Sequence, residues 1–114
     1  MENEMKEKKN EEVGNLKKIN KFISIDEDER YYVYTKDGKF ILEDVPYEKL
    51  MKAKKRIQRG DNKDTDKIEL AVISESLIEP KIGELDLMKL RGSTIAKLKV
   101  AIDRMYDMDD FLSE

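Results

Sequence analysis

Apolar positions are almost absent from the first 20 residues, MENEMKEKKNEEVGNLKKIN, where only Met1, Met5, Val13, Leu16 and Ile19 interrupt Glu, Lys and Asn. Such a segment buries too little surface to offset the entropy of ordering it, so a flexible charged tail is expected over 1–20, turning helical near Leu16. Residues 21–114 then read as one domain. From Phe22 the pattern changes to aromatic and β-branched runs: Phe22-Ile23-Ser24-Ile25, Tyr31-Tyr32-Val33-Tyr34 and Phe40-Ile41-Leu42. The last two runs flank Asp37-Gly38, and Gly accepts the positive φ that tight hairpin turns need, so a β-hairpin is predicted. Alternation puts Tyr32 and Tyr34 on one face and Tyr31 and Val33 on the other. A single hairpin is not stable alone and must pack on something.

Helical spacing follows. Pro46 suits the first helical position because its missing N–H would be unpaired there anyway. A helix is predicted from Pro46 to about Arg59, ended by Gly60, with Tyr47, Leu50, Met51 and Ile57 on its apolar side. Asp61–Asp66 is a polar connector in which Asp64 or Thr65 caps the next helix, about Asp66 to Glu79. That helix is apolar around most of its circumference (Ile68, Leu70, Ala71, Val72, Ile73, Leu77, Ile78), which predicts a central position. Pro80 ends it. A short helical turn is expected over Glu84–Leu90, closed by Gly92, and then a last helix capped by Ser93 or Thr94, carrying Ile95, Leu98, Ala101, Ile102 and Met105. The acidic end, 107–114, holds Met108, Phe111 and Leu112; it either docks on its own chain or marks a partner surface. The predicted architecture is α+β: an N-terminal β-hairpin packed on a small bundle of three to four helices, mainly helical.

Composition narrows the chemistry. The 114 residues include no Cys and no His. Thiol nucleophiles, disulfides, Cys/His zinc sites and the usual neutral-pH general base are therefore excluded. Charged residues make up 43% of the chain, with a net charge of −3, against about 25% in an ordinary folded domain. No apolar run approaches the roughly 20 residues of a membrane span, and the first residues lack the apolar core of a secretory signal. A soluble cytoplasmic protein without enzymatic activity, cofactor or metal is expected.

Three charged or aromatic clusters have plain readings. Lys49, Lys52, Lys54, Lys55, Arg56 and Arg59 offer the one candidate face for phosphate contacts or for an acidic protein partner, but no base-reading signature accompanies it, and a solvated helix face explains it more simply. Asp26-Glu27-Asp28-Glu29 and Asp61/Asp64/Asp66 lack the spacing of a calcium loop. Tyr31, Tyr32 and Tyr34 fit hairpin packing.

The second half carries a family resemblance. Ala71-Val72-Ile73-Ser74-Glu75-Ser76-Leu77-Ile78-Glu79-Pro80-Lys81 leads to Glu84-Leu85-Asp86-Leu87-Met88-Lys89-Leu90, then Gly92-Ser93, then an amphipathic helix ending in Asp107-Met108-Asp109-Asp110-Phe111. This order resembles the small tail assembly chaperones of long-tailed phages and prophages, over about residues 40 to 112. The charged N-terminal stretch departs from that plan. The resemblance implies a chaperone that binds the long, aggregation-prone tape measure protein, or the tail tube protein, in the host cell cytoplasm, and several such proteins are also made as a longer frameshifted product. A homo-oligomer is compatible with that role. A chaperone of this kind needs an apolar groove between helices and a charged exterior. The groove candidates are Leu50, Met51, Ile57, Leu85, Met88, Leu98, Ile102, Met105 and Phe111. For each of them ordinary core packing is the competing role. The rival functions are a small nucleic-acid-binding regulator using 49–59 and a structural phage tail subunit that lends a strand to a neighbour.

Overall fold

A computed structural model of the chain describes residues 16–58 and 64–113. Among the described residues the fold is α+β, an antiparallel five-stranded sheet with five helices. In chain order the elements are β1 (Lys17–Lys18), β2 (Ile23–Ile25), β3 (Tyr31–Thr35), β4 (Gly38–Leu42), α1 (Tyr47–Ile57), α2 (Thr65–Ser76), β5 (Leu77–Glu79), α3 (Glu84–Leu87), α4 (Gly92–Met105) and α5 (Met108–Ser113). Strand order across the sheet is β1-β2-β3-β4-β5.

The hairpin expected at Asp37-Gly38 is present as β3 and β4, with Val33 opposite Phe40 and Tyr31 opposite Leu42. Gly38 takes φ 114°, the conformation that reserves this turn for glycine. The hairpin is the middle of the sheet, not a free pair. On one side Ile23 pairs with Val33 and Ile25 with Tyr31. On the other Leu77 lies opposite Leu42. These pairings gather Ile23, Val33, Phe40, Leu42 and Leu77 on one buried face, each contributing about 1.5–3 kcal/mol of apolar burial. Tyr32 and Tyr34 fall on the opposite face, as alternation requires, and the Lys39 ammonium lies 5.7 Å from the Tyr32 ring centre.

The acidic stretch between β2 and β3 is a stapled turn. One carboxylate oxygen of Asp26 accepts from the N–H groups of Asp28 and Arg30, each at 2.9 Å, and the other accepts from the Tyr32 hydroxyl at 3.0 Å. Its carboxylate is thereby committed to holding the loop.

Helices cover the apolar face of the sheet. α4 lies across β3 and packs on α2, and α1 packs along α2. Ile68, Val72, Ile73, Leu87, Leu98, Ala101 and Ile102 join the sheet residues in one core. α2 is central, as its wide apolar circumference predicts.

Several boundaries differ from expectation for definite reasons. Lys17 and Lys18 form an edge strand paired with Ser24 and Ile25, so 16–20 belongs to the fold and Leu16 itself is not helical; the rest of the expected tail, residues 1–15, lies outside the described residues. Pro46 is the residue before α1, with ψ 141°. Arg59, Gly60 and the connector 61–63 also lie outside the described residues, while Asp64 caps α2 by accepting from the Lys67 N–H at 3.2 Å. The helix expected to reach Glu79 stops at Ser76, and Leu77–Glu79 turns into β5, because pairing with the open edge of β4 outweighs helix continuation. Pro80, which lacks an N–H for the ladder, closes that strand. The helical turn expected over Glu84–Leu90 is shorter, Glu84–Leu87. Finally, neither Ser93 nor Thr94 caps α4. Its N-cap is Arg91, and the cap comes from the hairpin turn: Asp37 Oδ2 accepts from the Arg91 N–H at 3.0 Å and from the Thr94 hydroxyl at 2.6 Å.

Candidate protein-binding site

α3 is a single helical turn, yet it is firmly held. Leu87 is buried in the core. Glu84 takes a 2.5 Å contact from Arg56 of α1, and this hydrogen bond and charge hold the guanidinium pKa above its ordinary value. Upstream, the Ser74 hydroxyl donates to the Ile82 carbonyl at 2.9 Å. The Lys81 ammonium donates to the Ser74 and Glu75 carbonyls at 3.0 and 3.3 Å, closing the end of α2. With Leu87 pointing in, helical geometry sends the rest of the apolar turn outward. Leu85 is 77% exposed and Met88 61% exposed.

These two border a groove of about 220 Å³ lined by Ile57, Lys67, Leu70, Glu84, Leu85 and Met88. Its floor is aliphatic and its rim carries both signs of charge. Because the backbone of the turn is already held, a contact here has to order only these two side chains, which lowers its entropic cost. Methionine at the edge adapts to varied apolar surfaces.

The nine residues singled out from the sequence separate into groups. Leu85, Met88 and Ile57 come together at this groove. Leu50, Leu98, Ile102 and Phe111 are buried in the core, where they hold the fold and present no open surface. Met51 and Met105 pack half-buried against that core. Met105 also lines two hollows away from the groove. One, about 180 Å³, is shared with Ile25, Glu29, Tyr31 and Asp44. The other, about 550 Å³, is a polar corner between α4 and α5 with Asp103, Asp107 and Asp109. Burial and then Asp109 raise the Asp103 carboxyl pKa. Lys67, Leu70 and Glu84 complete the groove and are not among the nine. The signal for Leu70 was present: a helix apolar on nearly every side must turn some of those residues away from the core.

The basic run on α1 is not one continuous face. Lys54 is 1% exposed and donates to the Phe111 carbonyl oxygen, and Arg56 is engaged with Glu84. Lys49, Lys52 and Lys55 face solvent. Among the described residues no group of three or more His, Cys, Asp or Glu is placed to hold a metal ion, and no helix is long and apolar enough to cross a membrane.

No protein-family model, curated protein or solved structure matches the chain. The functional reading therefore rests on the groove at α3 and on the residues around it.

Proposed function

We propose that this chain is a non-catalytic tail assembly chaperone of a long-tailed phage or prophage, holding an apolar helix of the tape measure protein at the α3 groove until the tail tube encloses it. The observation that carries the reading is the outward display of Leu85 and Met88 over Ile57 and Leu70. In a chain that is 43% charged, a pinned apolar edge of this kind is the feature that fits a helix-in-groove contact. The resemblance over 71–111 supplies the client class, and α3 lies within that stretch.

Co-expression with a tape measure protein tests it. Soluble tape measure protein should rise with the wild-type chain and fall back to the unassisted level with Leu85→Ser/Met88→Ser. An unchanged yield with the wild type sinks the proposal. Among the described residues of the basic run, a nucleic-acid role would draw on the exposed Lys49, Lys52 and Lys55. It requires a salt-dependent shift of DNA or RNA that disappears when those three become Ala.

A further inference from the structure

The face of the sheet turned away from the helices carries side chains that neither the core nor the α3 groove uses. Directly opposed residues on neighbouring strands share a face. The register therefore lays one row across all five strands: Lys18, Ser24, Tyr32, Ile41 and Glu79. Tyr34 and Lys39, opposite each other, form the next row on the same face. A bulge in β5 sets Ile78 beside Glu79 against Ile41. Tyr34 is 41% exposed and Ile78 38%, while Tyr32 and Ile41 are half-buried. Among the described residues none of these four packs on the core. Tyr32 is also held in place, because its hydroxyl donates to Asp26 and its ring lies against the Lys39 ammonium. A fixed apolar strip with polar ends has the make-up of a contact surface.

The charges at the ends of the first row say what fits it. β1 and β5 are the edges of the sheet, so the row begins with a cation, Lys18, and ends with an anion, Glu79. Both are exposed, and among the described residues neither is in an ion pair. A matching surface must read anion, apolar, cation over the same span, about 19 Å for four strand spacings. The same row of a second copy, turned about a two-fold axis parallel to β3, reads in that order. Lys18 of each copy then meets Glu79 of the other, and the two Tyr32 side chains meet at the axis. Stacked sheets lie about 10 Å apart, a gap that a lysine and a glutamate reach across together. The remaining charges on this face do not oppose the contact. Arg30 and Glu43 already face each other at 3.7 Å within one chain, Asp26 is committed to its turn, and Lys39 lies toward the hairpin turn, where its ammonium reaches water at the rim.

We propose that the open face of the sheet is the interface of a homodimer, in which two sheets stack about a two-fold axis and Lys18 pairs with Glu79 at both edges. The contact is small, about 19 Å across the strands and about 10 Å along them, well below the area of permanent dimers. It is therefore reversible, with a Kd in the micromolar range or weaker. The inference concerns the sheet and is independent of the tape measure reading, which concerns α3.

Sedimentation velocity of the full-length chain, from about 10 μM to about 1 mM, reads the equilibrium. The wild type should pass from monomer toward dimer within that range. Lys18→Glu and Glu79→Lys should each weaken the dimer at least about fivefold, because either reversal turns both ion pairs into like-charge contacts. Mixed together, the two variants should associate with each other at close to wild-type strength, since their heterodimer restores opposite charges at both edges. Tyr34→Ser, at a position already exposed, should weaken the dimer without changing the far-UV circular dichroism. Leu85→Ser/Met88→Ser should leave it unchanged. A wild type that stays monomeric to about 1 mM overturns the proposal. So does a dimer that the charge reversals do not weaken, a mixture of the two variants that associates no better than either alone, or a dimer lost in Leu85→Ser/Met88→Ser, which would assign self-association to the α3 groove.

Discussion

Removing one oxygen atom at Tyr106 should loosen three elements at once. Its hydroxyl accepts from the Val45 N–H at 3.1 Å and pairs with the Ser76 hydroxyl at 2.9 Å, and the Glu43 carbonyl lies 3.5 Å away. The end of α4 is thus tied to the exit of β4 and to the last residue of α2. Burial raises the phenol pKa above its ordinary value, so the group stays neutral and hydrogen-bonding throughout the useful pH range. Tyr106→Phe keeps the ring and its packing and deletes only the oxygen. Each lost hydrogen bond is worth about 1 kcal/mol net, and a buried group left unpaired costs about 1–3 kcal/mol. Ser76 is 1% exposed, so its hydroxyl falls in that second class. The expected loss is about 2–3 kcal/mol, or on the order of 10 °C in Tm for a domain of this size. Equilibrium urea unfolding followed by far-UV circular dichroism measures it. Ser76→Ala alone should cost about 1 kcal/mol. The double variant should be little worse than Tyr106→Phe, giving a coupling of about 1 kcal/mol. A Tyr106→Phe loss under about 0.5 kcal/mol, or strictly additive single effects, would refute the reasoning.

Three further outcomes are expected. The Asp37 carboxyl pKa is held below its ordinary 3.8 by the Thr94 hydroxyl, then by the Arg91 N–H and guanidinium. Its stabilising effect is therefore full above that unfolded value and lost as pH falls through the lower folded one. The gap in urea midpoint between wild type and Asp37→Asn, open near pH 6, should close toward about pH 2; a gap independent of pH would contradict the assignment. Leu98→Ala, in the core, should cost about 2–5 kcal/mol, whereas Leu85→Ala should stay within about 0.5 kcal/mol; denaturant midpoints showing similar losses would mean that Leu85 is structural. Glu29 sits at φ 62° in the acidic turn, a conformation costing about 1 kcal/mol or more for a side-chain-bearing residue. Glu29→Gly should raise the thermal midpoint by the equivalent of about 0.5 kcal/mol after glycine's entropic cost, and a lowered midpoint would show that the side chain contributes more than the strain removes.

The legible parts of this fold are those in which one local signal dominates. Asp37-Gly38 between aromatic runs specifies a hairpin wherever it lies in a structure, and the period of Ile95, Leu98 and Ile102 specifies a helix. β5 was hidden because Leu77 and Ile78 continue the apolar run of α2, and nothing within that run reveals the open edge of β4 waiting beside it. β1 is two lysines, and only the neighbouring strand makes them a strand. The cap of α4 was misplaced for a related reason: Asp37 lies 54 residues before Arg91, beyond any pattern of neighbours. For the candidate site, amphipathic spacing identifies apolar residues but not which of them another element will cover. Leu85 and Leu98 look alike in the sequence. Leu98 is roofed by the sheet, while Leu85 lies on a turn whose single inward residue is Leu87. Lys54 shows the converse, a cation counted with its charged neighbours that a distant segment turns into an interior residue.

Leu77 is both the C-cap of α2 and the first residue of β5, and this direct splice governs the order in which the chain can assemble. β1 to β4 form a meander of neighbours in sequence, which can zip locally. The fifth strand cannot join until residues 43–76 have turned back on themselves, because only then does Leu77 arrive opposite Leu42. Closing that long excursion carries an entropic cost that short hairpins avoid. Meander and helical pair are thus two early halves, and α2 works as a splint that delivers the final strand in register. The β4–β5 seam is therefore the pairing with the long loop to close, whereas the Asp37-Gly38 hairpin closes over a tight turn.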